Sequence, residues 1–469
     1  MGTGTVRTEP ADEAAGRRRE QRGWYFYDWA CSVYSTSVLT VFLGPYLTSV
    51  AEAAADADGF VHPLGIPVRA GSFFAYSVSL SVIVAVLVMP LVGAAADHTG
   101  RKRPLLGAAA YTGATATTAM FFLGGDRYLL GGLLLIVANA AQSVAMMLYN
   151  SYLPQIAPPE ERDAVSSRGW AFGYASGSLM LVVNLVLYLA HDSFGVSEST
   201  AVRICLASAG LWWGGFALIP LRRLRDRRAR SEDGEEAPSG KNGKSGKSGR
   251  NGKKQTAMGF RQLAATVRDM RRHPLTLAFL LAYLIYNDGI QTVISQASIY
   301  GSEELGLGQS TLIGAVLLVQ VLAVVGALTM GRLARTYGAK RTILGSLVAW
   351  TVTLAAGYFL PAGAPVWFFV LAAGIGLVLG GSQALSRSLF SHLVPPGKEA
   401  EYFSAYEMSD RGMSWLGPLL FGLTYQLTGS YRDAIISLVA FFVLGFALLA
   451  RVPVRRAIRD AGNPVPHTI

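Results

Sequence analysis

Apolar residues run along the chain in long blocks rather than in the short alternations of strands. Each block is about the length of a helix that crosses a lipid bilayer. The blocks fall at 24–50, 70–96, 104–123, 128–153, 166–190 and 201–220. After a polar stretch they resume at 275–300, 310–333, 342–360, 365–393, 403–428 and 432–452. This pattern predicts an all-α polytopic membrane protein with twelve transmembrane helices in two bundles of six, at 24–220 and 273–452. Residues 221–272 separate the bundles. Their middle, Ser231 to Lys254, is a Gly/Ser/Lys-rich run with the composition of a disordered cytoplasmic tether. Residues 1–23 and 453–469 read as tails.

Composition supports the membrane reading. Only 15% of the 469 residues are charged, against 51% apolar, with mean hydropathy +0.36. A soluble chain of this length needs about 25% charged residues to cover its surface. The net charge of +11 does not point to nucleic acid, because the basic residues are scattered in short clusters between apolar blocks. Arg17, Arg18, Arg19 and Arg22 precede the first block, and Arg101, Lys102 and Arg103 follow the second. Arg332, Arg335, Lys340 and Arg341 flank the end of the eighth, and Arg451, Arg455, Arg456 and Arg459 close the last. The alternate loops are acidic, with Glu52, Asp56, Asp58, Glu303 and Glu304. The positive-inside rule then places the basic end, and both termini, in the cytoplasm of a plasma (inner) membrane. Cys31 and Cys205 stand alone in apolar runs, so neither a disulfide frame nor a metal site is expected, and no cofactor.

The two halves repeat. Gly93-Ala-Ala-Ala-Asp97-His-Thr-Gly100-Arg101-Lys102-Arg103 has a counterpart in Gly331-Arg-Leu-Ala-Arg335-Thr-Tyr-Gly338-Ala-Lys340-Arg341, offset by 238. Ala157-Pro158-Pro159-Glu160 and Val394-Pro395-Pro396-Gly397 are offset by 237. Two landmarks sharing nearly one offset indicate a duplicated six-helix unit.

The first loop resembles the G-x-x-x-D-x-x-G-[RK]-[RK] signature of the major facilitator superfamily. Tyr27-Asp28-Trp29-Ala30 resembles the YDWA signature of the unknown major facilitator family, whose fungal relatives are vacuolar, autophagy-linked amino-acid effluxers. So do Tyr149-Asn150 with Leu153 to Glu160, Gly169-Trp170-Ala171 with Gly173-Tyr174, and Gly380-Gly381 with Gln383, Ser386, Arg387 and Ser388. The resemblance spans both halves and implies a solute exporter. It departs from the pattern at Cys31, where a small polar residue is common, and at Arg335, which replaces the second loop's aspartate.

In that superfamily the loop aspartate meets a helix N-terminus of the other bundle and holds the cytoplasmic side shut. Gly93, Asp97, Gly100 and Arg101 are therefore gate candidates, with Asp97 and Arg101 spaced to pair along a helix. Glu407 and Arg411 are spaced likewise, leaving Asp410 as a free partner for the gate. The resemblance places the first, fourth, seventh and tenth spans around a central cavity. Asp28, Asn139, Gln142, Asn287, Asp288, Gln291, Gln383 and Arg387 are then the candidate substrate and proton residues, since ionisable groups inside a bilayer are costly. A carboxyl in low dielectric retains its proton more readily, which suits Asp288 as a carrier. Asp28 and Arg387 lie at similar depth on opposite bundles, and are expected to pair or to share a substrate carboxylate. Asn150 adds to the polar wall. Gly169, Gly173 and Gly177 form a strip for close helix packing.

Enzyme chemistry finds no support. Tyr27-Asp28 matches half of an intramembrane aspartyl protease signature, but Leu123-Gly124-Gly125-Asp126 fails as the other half, and no H-E-x-x-H or G-x-S-x-G motif occurs. The expectation is a monomeric secondary transporter that moves a small polar solute, an amino acid or related carboxylate, by alternating access with protons as the coupling ion. The alternatives are uptake, facilitated uniport of another small molecule, and a non-transporting membrane sensor.

Overall fold

The computed structural model describes residues 11–227, 268–411 and 416–468, without the side chains of residues 11, 309, 310 and 411. The tether's Ser231–Lys254 run lies outside the described residues. Among those described, nine helical stretches are long and apolar enough to cross a membrane. They are Asp12–Ala53, Ala70–Thr99, Tyr128–Ile156, Pro159–Leu189, Glu198–Arg223, Pro274–Glu304, Thr311–Tyr337, Pro365–His392 and Tyr431–Arg451.

Three more helical units occupy the places counted as the third, ninth and eleventh spans. These are Lys102–Ala119, Ala339–Tyr358, and the pair Glu399–Arg411 and Leu416–Thr428. Basic residues at the starts of the first two, and Glu399, Glu401, Glu407 and Asp410 in the third, dilute their hydropathy. The 18 residues from Lys102 to Ala119 extend about 27 Å at 1.5 Å per residue.

Helix packing follows from side-chain size. The first span lies against the fifth and sixth, the fourth against the second and third, and the eighth against the tenth. The predicted glycine strip is used as expected. A Cβ on Gly169, Gly173 or Gly177 would collide with Trp24, Ser32 or Thr36, so the fifth span meets every fourth residue of the first at backbone distance. Between the halves, the second span packs on Glu399–Arg411 and the eighth packs on the fifth.

The tails are more ordered than the sequence suggests. Residues 11–33 form one helix that enters the first span without a break. Gln21 Nε2 donates to Ile156 O and to Glu161 Oε2, both at 3.0 Å. The first span then widens into a π-helical stretch, Tyr34–Phe42, where Leu43 N–H bonds back to Val38 O. After the last span, Val454–Asp460 is a short helix with buried Val454, Ala457 and Ile458. Beyond it, Asn463 Nδ2 donates to His392 O (2.9 Å) and Val394 O (2.7 Å).

Candidate functional site

At the basic end the second span stops where Gly100 takes φ +64°, a left-handed turn that glycine adopts without a Cβ penalty. Upstream, Gly93 lets the helix approach the other half, since a Cβ there would lie 2.9 Å from Ala400 O. Asp97 is thereby aimed at the start of Glu399–Arg411, where its Oδ2 accepts from Glu401 N at 2.9 Å. The unsatisfied N–H groups of a helix start favour an anion at this position. The predicted Asp97–Arg101 pair does not form. Its i,i+4 spacing assumes a continuous helix, but the helix ends at Thr99 and Arg101 turns out to solvent. Lys102 pairs instead with Asp97 (3.1 Å) and with Glu399 (3.0 Å) across the halves.

Deeper in, Arg387 of the tenth span is buried among residues of the first half. Nε and Nη2 donate to Ser166 Oγ and Ser166 O, both at 2.9 Å. Nη1 donates to Asn150 Oδ1 (3.1 Å) and to Asp28 Oδ2 (3.4 Å). The guanidinium carbon sits 4.7, 5.3 and 5.6 Å from the ring centres of Trp24, Trp170 and Tyr149. Asp28 also receives the Tyr149 hydroxyl at 2.6 Å. The cross-half pair expected from the sequence thus stands inside an aromatic box, with four of the guanidinium's five N–H groups used. Beside it, Arg162 Nη1 donates to Ser391 O (2.9 Å) and contacts His392 Nδ1 (3.3 Å), and Ser166 Oγ donates to Ala384 O (2.7 Å).

These contacts floor a cavity of about 660 Å³ between the halves. Asp28, Asn139, Gln142, Gln291, Gln383 and Arg387 line it, as anticipated. Ser32, Ser35, Thr36 and Thr40 give its first-half wall hydroxyls, and Leu312, Val316, Phe368 and Ile375 make the facing wall apolar. Asn139 and Gln142 are held by Ser81 (2.6 Å) and Ser35 (2.7 Å), and Gln383 accepts from Tyr174 Oη at 3.0 Å.

Two predicted cavity residues lie elsewhere. Asp288 is buried and its Oδ2 accepts from Gly417 N at 2.8 Å, so it serves the start of Leu416–Thr428 and does not line the cavity. Asn287 is not itself at the cavity surface but reaches one of its lining residues, donating to Asp410 Oδ1 at 2.7 Å. Conversely, Glu407 and Asp410, assigned to the gate by sequence, line the cavity. Asn150 Nδ2 donates to Glu407 Oε1 at 2.6 Å, and Tyr283 Oη to Asp410 Oδ1 at 2.9 Å. The Arg411 side chain expected to pair with Glu407 lies outside the described residues. Cys31 lines the cavity, its Sγ 3.5 Å from Met146 Sδ.

A family profile described as "Vacuole effluxer Atg22 like" matches residues 16–462. The chain belongs to the Atg22-like family. Family and fold are those of major facilitator transporters, not of enzymes, and the protein is a multi-pass membrane transporter. The uncharacterized MFS-type transporter YxiO of Bacillus subtilis is 29% identical over 93% of this chain and 95% of its own. Autophagy-related protein 22 of Coccidioides immitis is 27% identical over 95% and 88%. Among solved structures, the fucose transporter FucP in the outward conformation covers 92% of this chain and 98% of its own, at TM-score 0.65 and 12% identity. The proton:xylose symporter XylE covers 94% and 96%, at TM-score 0.66 and 15% identity. These likenesses show the fold.

Within this Atg22-like chain, several site residues escaped the sequence reading. Trp24, Tyr149, Trp170 and Ser166 carry Arg387, yet aromatic and serine positions in an apolar block look like ordinary packing. Three of them adjoin or belong to the quoted motifs, which was the available signal. Arg162, Lys102 and Glu399 open helices beside loops, where any basic or acidic residue reads as solvated. Their contacts between the halves, Arg162 to Ser391 O and Lys102 to Glu399, lie beyond the reach of local spacing.

Proposed function

We propose that this protein is a proton-coupled secondary transporter that exports an amino acid or related carboxylate across a plasma membrane by alternating access. In this reading it has twelve crossings, acts as a monomer and has both termini in the cytoplasm. The observation that carries the reading is the cavity between the halves, walled by amides and hydroxyls and floored by a charged cluster joining the halves at the basic end. The family's description as effluxers supports the direction. An amino acid presents an ammonium group that suits Glu407 and Asp410. Its carboxylate suits Arg387, once separation of the halves releases the guanidinium from Asp28. With Asp288 placed outside the cavity, Glu407 and Asp410 take over as proton carriers.

The test is solute-driven proton flux in proteoliposomes, screening amino acids and related carboxylates. Asp410→Asn and Glu407→Gln should abolish the pH change and weaken solute exchange, and Asp288→Asn should retain both. Arg387→Gln should lose the solute response. Solute exchange with no pH change in the wild-type protein would overturn coupling, and silence with every solute would overturn transport of this class.

A further inference from the structure

Asn150 ends the fourth helical span and meets opposite charges from two different spans of the other half. Its Oδ1 accepts from Arg387 at 3.1 Å and its Nδ2 donates to Glu407 at 2.6 Å. All three residues are buried. A guanidinium only donates and an ionised carboxylate only accepts, so these two partners fix which way the amide faces. Neither partner travels with Asn150 when the halves separate, so both bonds exist only while the basic end is shut.

We infer that Asn150 is a positioning residue that holds the basic end shut by engaging Arg387 and Glu407 at once. The surroundings leave it that task. The helix carrying Glu407 packs on the second, fourth and seventh spans. Their ionisable groups are Tyr76, Asp97 and His98 on the second, Tyr128 and Tyr149 on the fourth, and Tyr283, Tyr286, Asp288, Tyr300, Glu303 and Glu304 on the seventh. Its own helix adds Glu399, Glu401, Tyr402, Tyr406, Asp410 and Arg411. The fourth span therefore offers Glu407 a neutral donor where a charged one would bind Arg387 poorly, and Asn150 serves both.

The inference rests on neither the solute nor the coupling ion, and its test reads conformation alone. The full chain is placed in lipid nanodiscs with Cys31→Ser and Cys205→Ser. Nitroxides at Arg101→Cys and Arg335→Cys, exposed positions on the two halves of the basic end, report the distance between them. Asn150→Asp keeps the acceptor for Arg387 but sets a carboxylate against Glu407. The ratio of shut to open should fall about tenfold or more. Adding Glu407→Gln supplies a donor facing that carboxylate and should bring the ratio back to within about twofold of wild type. Asn150→Ala removes both bonds without adding charge, so it should open the basic end, and Glu407→Gln, which restores neither bond, should not return it to the wild-type ratio. A wild-type distance distribution in Asn150→Asp, or a double variant as open as the single, would overturn the inference. So would rescue of Asn150→Ala by Glu407→Gln. If Asn150→Asp does not fold, the alanine pair decides.

Discussion

The second and eighth spans end in pseudo-equivalent loops, yet the junctions beside them are closed by different chemistry, at the second span itself in one case and between the fifth and tenth spans in the other. The glycine contact is kept in both, with Gly93 against Ala400 and Gly331 against Ser167. The charge is not. Asp97 accepts from the first turn of Glu399–Arg411, while Arg335 at the matching position is exposed. On that side the closing cation is Arg162, which donates to Ser391 O in the last turn of Pro365–His392. A helix start wants an acceptor and a helix end wants a donor. One junction therefore closes on a helix N-terminus with an acid and the other on a helix C-terminus with a base. Duplication preserved the backbone approach and let the lock be rebuilt with opposite charge.

The comparison can be broken most severely at Asp97. Asp97→Ala leaves Glu401 N–H without its acceptor and takes one acid from buried Lys102, at a cost of about 3 kcal/mol. The fraction shut at the basic end, read by the nitroxide pair, should fall roughly a hundredfold. Arg162→Ala should come next, because it strips donors from Ser391 O, Ala157 O and Pro154 O. About 2 kcal/mol is expected from the lost charged hydrogen bonds, and the same distance measurement should show a roughly thirtyfold loss of the shut state. If Arg162→Ala has no effect while Asp97→Ala does, the two junctions are not equivalent locks.

Gly93→Ala pushes a methyl group into a backbone carbonyl that cannot step aside, costing about 1–3 kcal/mol, and should lower transport rate with little change in thermal stability of the separate bundles. Arg335→Ala, on the exposed position, should stay within about 0.5 kcal/mol of wild type and within twofold in flux. A comparably small effect concerns the start of the second half. Burial opposes charge on Asp269, but Lys398 at 2.7 Å and the Tyr402 hydroxyl at 3.0 Å outweigh it and hold its carboxyl below the usual value. A lowered carboxyl contributes stability above its ordinary value near 3.8 and loses it as pH falls through the lower folded value. Thermal melts should therefore show Asp269→Asn slightly less stable at pH 7 and equal to wild type at the acid limit of folding, a difference of about 0.5–1 kcal/mol.

The fold was legible because its signals are local. Hydrophobic block length reports one segment at a time, and the blocks carried over to helices. The Asp97 contact was legible only through the loop's resemblance to the superfamily signature, while the turn at Gly100 broke the expected Asp97–Arg101 pair. Asp288 shows the limit. Its depth in the seventh span was right, but the direction it faces depends on where Leu416–Thr428 begins, more than a hundred residues later. That Glu407 and Asp410 also face the cavity was missed for the converse reason. The charge density of Glu399–Arg411 suggests a loop-side gate, whereas its burial against the fourth and seventh spans turns those acids into the cavity. Arg387 was found through its motif, but its aromatic box was not, since Trp24 and Trp170 become neighbours only when the first and fifth spans meet across glycines.

The wide turn at Tyr34–Phe42 has a consequence for how the solute's surroundings can change. Thr40 Oγ1 donates to Ser35 O at 2.8 Å across the loosened stretch, and Ser35, Thr36, Leu39 and Thr40 all border the cavity. Tightening that stretch to an ordinary α-helix would shift its register by one residue, rotating everything on one side by about 100° against the other. The first span thus carries one residue of slack, about 100° of rotation, where it borders the cavity.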